Sequence, residues 1–345
     1  MRHPLLACIL ALVAAASHAG NATQEAVERL HDDAAARIAA GRFDSLLADV
    51  DQALTSKERI ADGRWKLALL IGGMRMGFER AATSPEDWTA FDKTLRAQAT
   101  AHPDSPNAWL LVAVLADSHA WAVRGKGMAD GITTMGFDAF RRYNEQARTV
   151  LEAHPMPGNP AWYALRIKVG GALHESPAQL DALFDEAFQR EPAYQQTWYS
   201  RLTFLEPQWG GSVDAVVRLA KQGAVDTSPA EGRGMMARVL FLAYDSGVAT
   251  ALTDPGVDWD TLKASMEDVL RRYHDDWNAQ PFFFEACSRG DKAEAQHLLG
   301  FVKEAPIDEV LNGGVDMFRT CVDWVNGKVP GFRLHDENGN VRLIH

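Results

Sequence analysis

Cysteine is scarce in this chain, with three in 345 residues, and they form no CxxC pair. There is no block of like charge and no low-complexity tract, which argues against wholesale disorder. Lys and Arg are outnumbered 35 to 46 by Asp and Glu, giving a net charge of −11. Nucleic acid and anionic membranes are therefore poor main partners, since both select clustered cations. Strand signals are nearly absent before the C-terminus, and no apolar run after the first 19 residues approaches the ~20 residues that span a bilayer. GxGxxG, HExxH and GxSxG are also missing. "GKGMADG" (125–131) follows a helical stretch and has no Walker lysine-serine pair, "LHES" (173–176) has one histidine, and neither calls for a cofactor or a metal ion.

What is present is a chain of 47% apolar and 23% charged residues, the balance of a protein that folds around a core. Its opening, "MRHPLLACILALVAAASHA", has one arginine, an apolar run and a small-x-small end at Ser17-His18-Ala19. That is the pattern of a secretory signal peptide cut near Ala19, and it predicts a periplasmic or secreted protein without stable membrane insertion. Past that point only Cys287 and Cys321 remain, an even number suited to an oxidising compartment. They are either a disulfide or two buried thiols. A disulfide would close a loop of about 35 residues and stabilise the fold by roughly 3–4 kcal/mol in the chain-entropy estimate.

Helical periodicity dominates. In "SPAQLDALFDEAFQR" (176–190), Leu180, Leu183, Phe184, Ala187 and Phe188 form one apolar face, with Ser176 as N-cap, Pro177 in the first turn and Gln179 completing a capping box. "SPEDWTAFDKTL" from Ser84 starts in the same way. A repeat underlies the pattern. Units beginning at His102, His154 and Glu191 each carry a helix-ending proline (Pro103, Pro155, Pro192), then a tryptophan (Trp109, Trp162, Trp198) and an apolar helix. The second and third lie 37 residues apart, near the ~34-residue period of tetratricopeptide hairpins. The first and second lie 52 apart, which predicts an insertion near "AWAVRGKGMADGITTMG" (120–136), loop-like through its glycines. The three tryptophans read as core anchors. Weaker helix pairs extend the array at 232–247 with 259–274 and at 277–289 with 291–303.

The expected fold is all-α, a tetratricopeptide-like helix-hairpin solenoid with a short C-terminal β-hairpin. After the leader (1–19), it comprises an N-terminal helical region (20–100), the repeats (101–305), and a C-terminal helix and hairpin (306–345). The hairpin rests on "GFRLHDENGNVRLIH", where Asn338-Gly339 is a strong turn signal. Asp336, Asn338 and Asn340 imitate a calcium loop only superficially, with the glycine misplaced and no twelfth-position glutamate.

Candidate site residues follow from helix ends and turns. His119 and Arg124, closing the first repeat's leading helix, would flank a concave edge and take a carboxylate, while Trp121 turns to the core. Lys126 sits in the glycine-rich insertion. In "YHDDW" (273–277), His274, Asp275 and Asp276 are adjacent at a helix end and expected to face apart and to water. "FLEPQWGGSVDA" (204–215) reads as a helix stop at Pro207, a turn through Gly210 and Gly211, and a new N-cap at Ser212, with Glu206 and Gln208 available for binding and Trp209 either buried between repeats or exposed beside His119 and Arg124 as part of the site. It lacks the preceding strand and second glycine of a nucleophile elbow.

"HAWAVRG" (119–125), "LDALFDEAFQREPAY" (180–194), "PQWGGS" (207–212), "NAQPFFFEAC…GD" (278–291) and "CVDW" (321–324) together resemble a bacterial family of unknown function, domain 4034, a tetratricopeptide-like group. The resemblance covers about residues 100–325. It implies the helical-repeat fold and the pairing of Cys287 with Cys321, and no activity. The functional expectation is a protein or peptide bound on the concave face. The alternatives are an enzyme using His119, Arg124 and Glu206 in a groove, and an immunity or inhibitor protein against an exported toxin.

Overall fold

A computed structural model of the chain describes residues 22–103, 105–125, 131–335 and 341–345. The leader, Lys126 and the 336–340 turn, with its calcium-like residues, lie outside them. Among the described residues there are 17 α-helices and one two-stranded sheet. The N-terminal region holds α1 (Ala22–Ala39), α2 (Phe43–Ser56), α3 (Lys66–Ala81) and α4 (Pro85–Ala101). The repeats follow as α5 (Pro106–Arg124) with α6 (Thr134–Ala153), α7 (Pro160–Ala172) with α8 (Pro177–Arg190), and α9 (Gln195–Thr203) with α10 (Val213–Asp226). A single turn, α11 (Ser228–Glu231), leads to α12 (Gly234–Asp245) with α13 (Trp259–Arg272) and α14 (Asp276–Arg289) with α15 (Lys292–Leu299). Short α16 (Asp308–Leu311), α17 (Val315–Val325) and the strands β1 (Phe332–His335) and β2 (Val341–Ile344) complete the chain. This is an all-α helical-repeat fold, and no described helix is long and apolar enough to cross a membrane.

The helix starts follow their caps. Ser84 and Ser176 form full capping boxes with Asp87 and Gln179, each with proline in the first turn. Ser212 accepts from the Ala215 amide and opens α10. The long first repeat has a different origin from the one expected. Much of the extra length is helix, because α5 and α6 have 19 and 20 residues where α7 and α8 have 13 and 14. Gly136 is part of α6, its amide donating to the Thr133 cap rather than lying in a loop.

Of the repeat tryptophans, Trp162 and Trp198 are core anchors as expected, whereas Trp109 is only half-buried and stacks on His154 at 3.9 Å. At the C-terminus β1 and β2 pair antiparallel, Phe332 opposite Ile344, and Phe332 packs 5.7 Å from Trp324. Cys287 and Cys321, both fully buried, form a disulfide with Cα atoms 6.0 Å apart, tying α14 to α17.

Two contacts set this array apart from an open stack in which each repeat meets only its neighbours. First, α1 lies unusually close to α3: a Cβ added at Gly73 or Gly77 would come within 2.9 Å of the α1 backbone at His31 or Ala35. Only glycine permits that approach. Second, the ends of the array meet. Thr23 donates to Asp275 at 2.6 Å and Gln24 to Glu309 at 2.8 Å. The α2–α3 segment, residues 57–65, reaches the later repeats directly. The Asp62 carbonyl accepts from Arg238 on α12 at 2.7 Å and from Asn278 on α14 at 3.1 Å, and the Trp65 indole donates to the Ala193 carbonyl at 3.0 Å. We call this junction the seam.

Candidate functional site

The 204–215 stretch is built as a turn. α9 stops at Thr203, and Pro207–Trp209 make one 3-10 turn. Gly210 then takes φ +88°, a left-handed conformation that disfavours a side chain. A Cβ at Gly211 would strike the Leu205 carbonyl oxygen at 2.0 Å. The turn is closed by the Gly211 amide donating to the Glu206 carbonyl (3.1 Å) and the Ser212 amide to that of Leu205 (2.9 Å). The backbone amides beside the serine are thereby largely spent on the turn and the helix cap.

That turn holds Trp209 at the edge of a groove. Its half-buried ring stands edge-on to Phe204 (5.1 Å) and to Trp121 (5.8 Å). Trp121 does not point into the core as expected. It is half-buried, packs on Phe140 at 5.1 Å, and donates its indole N–H to Asp117 at 3.2 Å. Two cations flank the pair: the Arg124 guanidinium lies 5.4 Å from both ring centroids, and Lys168 Nζ lies 4.8 Å from Trp121. Such contacts hold a cation over the electron-rich ring face.

The groove floor is polar but satisfied. Asp117, fully buried, accepts from Lys168 at 3.1 Å and pairs with Arg75. Burial pushes its carboxyl upward, and the Arg75 charge opposes that. Glu206 is buried too. It accepts from Gln208 at 2.7 Å and from the Ser246 hydroxyl; burial raises its carboxyl and the serine bond works against the rise. The groove encloses about 470 Å³, and a further hollow of about 620 Å³ opens past Trp209 beside Arg124 and Phe140.

The candidates chosen from sequence are thus partly brought together. Arg124, Glu206, Gln208 and Trp209 line these adjoining hollows. His119 does not. Five helical residues from Arg124 turn it to another face of α5, where its ring is sandwiched between Trp88 (4.3 Å) and Tyr143 (3.7 Å). Burial there, with Arg142 nearby, pulls its pKa down to about 4. The enzyme constellation of His119, Arg124 and Glu206 is therefore not assembled. In "YHDDW", His274 is exposed as expected, but the two aspartates do not face water. Asp275 caps α14, and buried Asp276 accepts from the Lys303 (3.0 Å) and Glu304 (2.9 Å) amides, so both are structural.

A second cavity, of about 450 Å³, lies at the seam, where no sequence motif pointed. It joins the groove through Gln196, Tyr199 and Leu242. Asp62, only 1% exposed, takes the Arg64 Nε at 2.5 Å on its carboxylate and Arg238 on its carbonyl, so one residue anchors two guanidinium groups. Trp65, Trp277 and Phe282 supply apolar wall. His31 lies here as well, its pKa lowered by burial and then by Arg64. These residues are contributed by α1, the 57–65 segment, α12 and α14, and no local spacing links positions so far apart in the chain. Comparison with family models, curated proteins and solved structures finds no match for this chain.

Proposed function

We propose that the protein is an exported binding module that takes a peptide segment of a partner protein in the groove beside Trp121 and Trp209. The observation that carries this reading is the pair of cations, Arg124 and Lys168, set against two partly exposed tryptophans in a chain whose net charge is −11. A locally cationic, aromatic groove on an acidic protein selects against its own general surface and favours acidic segments carrying aromatic or large apolar side chains. Half-buried tryptophan and arginine are the residue types that most often dominate such interfaces. The export itself rests on the leader pattern in residues 1–19.

The reading is tested with fluorescein-labelled peptides of alternating Asp/Glu and Phe/Leu, their Lys-substituted counterparts, and their apolar-to-Ser counterparts. Fluorescence polarisation with the mature chain should favour the acidic-aromatic set by at least roughly ten-fold over the basic set, with strong salt dependence. Trp209→Ala combined with Arg124→Ala should weaken that binding by about 2 kcal/mol or more. Equal affinity for acidic and basic peptides, or full retention by the double variant, would sink the proposal.

A further inference from the structure

Arg238 at the seam is 9% exposed. Its Nη2 donates to the Asp62 carbonyl at 2.7 Å, and the guanidinium lies 5.2 Å from the Tyr273 ring centroid. Its Nε is buried with no hydrogen-bond partner, and among the described residues no carboxylate forms an ion pair with it. Arg64 Nη2 is likewise buried and unpartnered, although Arg64 Nε holds the Asp62 carboxylate. Both vacant N–H groups belong to side chains lining the same cavity, anchored to the same residue. Leaving such donors dry costs free energy, and a buried cation is costlier still without an anion or water to serve it.

The other charged and titratable lining groups do not supply that anion. The Asp62 carboxylate is taken by the amide (2.8 Å) and Nε of Arg64. Asp245 is exposed and accepts from Asn312 at 3.0 Å. Tyr199 stays protonated, its hydroxyl pushed up by burial, and His31 is held toward neutrality. Against these polar groups stands an aromatic wall that includes Trp65, Phe241, Trp277 and Phe282. Pro281, inside α14, also lines the cavity and removes the N–H that the Trp277 carbonyl would otherwise receive.

We propose that the seam cavity binds a small organic carboxylate with an aromatic or short aliphatic body, its head group taken by the guanidinium groups of Arg238 and Arg64 that line it. A carboxylate has two acceptor oxygens and suits the planar donor fork of a guanidinium group. A volume of about 450 Å³ suits a ligand of one or two rings. Binding there also strengthens the seam, because the ligand bridges the 57–65 segment and α12 through the two arginines.

The test is calorimetric titration of the full mature chain with phenylacetate, indole-3-acetate and octanoate, each beside its primary amide, and with inorganic phosphate. At least one carboxylate should bind, its amide at least roughly ten-fold more weakly, and phosphate more weakly than the carboxylate. Arg238→Met should abolish the preference for carboxylate over amide. Arg238→Lys, which keeps the charge but loses Nε, should reduce it, and covers the case in which the methionine variant does not fold. The Trp209→Ala, Arg124→Ala variant should bind the carboxylate as the unaltered protein does, which separates this site from the peptide groove. No heat with any carboxylate would mean that water alone serves Arg238, and would overturn the proposal. So would equal affinity for acid and amide, or phosphate binding as tightly as the acids.

Discussion

In the groove, Asp117 answers both Arg75 and Lys168 and takes the Trp121 indole N–H besides. In the adjoining seam cavity, Arg238 is buried too, yet its Nε has no partner and no carboxylate pairs with it. The two hollows share Gln196, Tyr199 and Leu242, so they differ in charge balance rather than in place. A balanced floor holds its shape without a ligand and leaves recognition to the exposed rim, here Trp121, Trp209 and the cations over them. An unbalanced one is poised to receive the missing charge. The difference separates a surface that is complete by itself from one that a ligand completes.

Removing Asp117 gives the largest expected effect. Asp117→Ala leaves two cations facing each other over a buried site, though Arg75 and Lys168 keep 25% and 18% of their side-chain surface in water. With that screening, the loss should be about 2–4 kcal/mol in urea unfolding. A loss below about 1 kcal/mol would remove the claim that pairing holds the groove floor.

His119 belongs to neither hollow and serves as a control on the comparison. Its folded pKa of about 4 lies below the unfolded value near 6.5, so the folded state favours the neutral ring. The stabilising contribution is then complete above about pH 6.5 and is lost as pH falls from there towards 4. With its partial exposure discounted, the loss should be roughly 2–3 kcal/mol. Phenylalanine keeps the sandwich between Trp88 and Tyr143 and cannot be protonated. His119→Phe should therefore lose less stability than the unaltered chain between pH 7 and pH 4, by that amount. Parallel losses in the two proteins would place the acid sensitivity elsewhere.

The sequence revealed local structure well. Ser84, Ser176 and Ser212 announced their helices through short-range capping chemistry, and Gly210-Gly211 announced a turn that only glycine makes. It singled out Arg124 at a helix end and Trp209 in a turn, but left open whether Trp209 is buried between repeats or exposed beside Arg124. It erred where a side chain's direction is decided by tertiary packing. Trp121 was assigned to the core by helical phase, but Asp117 and Lys168 draw its indole to the groove. Asp276 was expected to face water, but the amides of Lys303 and Glu304 cap it from outside its own helix. The seam was illegible, since Asp62 meets Arg238 across 176 residues and Asn278 across 216. No periodicity marks such pairs. Gly73 and Gly77 were the nearest visible sign, and in a helix they read equally as weak helix formers.

Arg238→Met has the smallest expected effect on stability and the most to say about the comparison. If Arg238 were a structural tie like Asp117, its loss would cost several kcal/mol. The Asp62 carbonyl, however, keeps a donor in Asn278 at 3.1 Å, and no carboxylate loses an ion-pair partner. Methionine fills much of the same volume and needs no counter-ion. Unfolding free energy without ligand should therefore stay within about 1 kcal/mol of the unaltered chain, or rise. A loss of 3 kcal/mol or more, comparable with that expected for Asp117→Ala, would show that the guanidinium holds the seam by itself. The contrast between a completed groove and an uncompleted cavity would then disappear, because the ends of the array would be joined by Arg238 rather than left waiting for an anion.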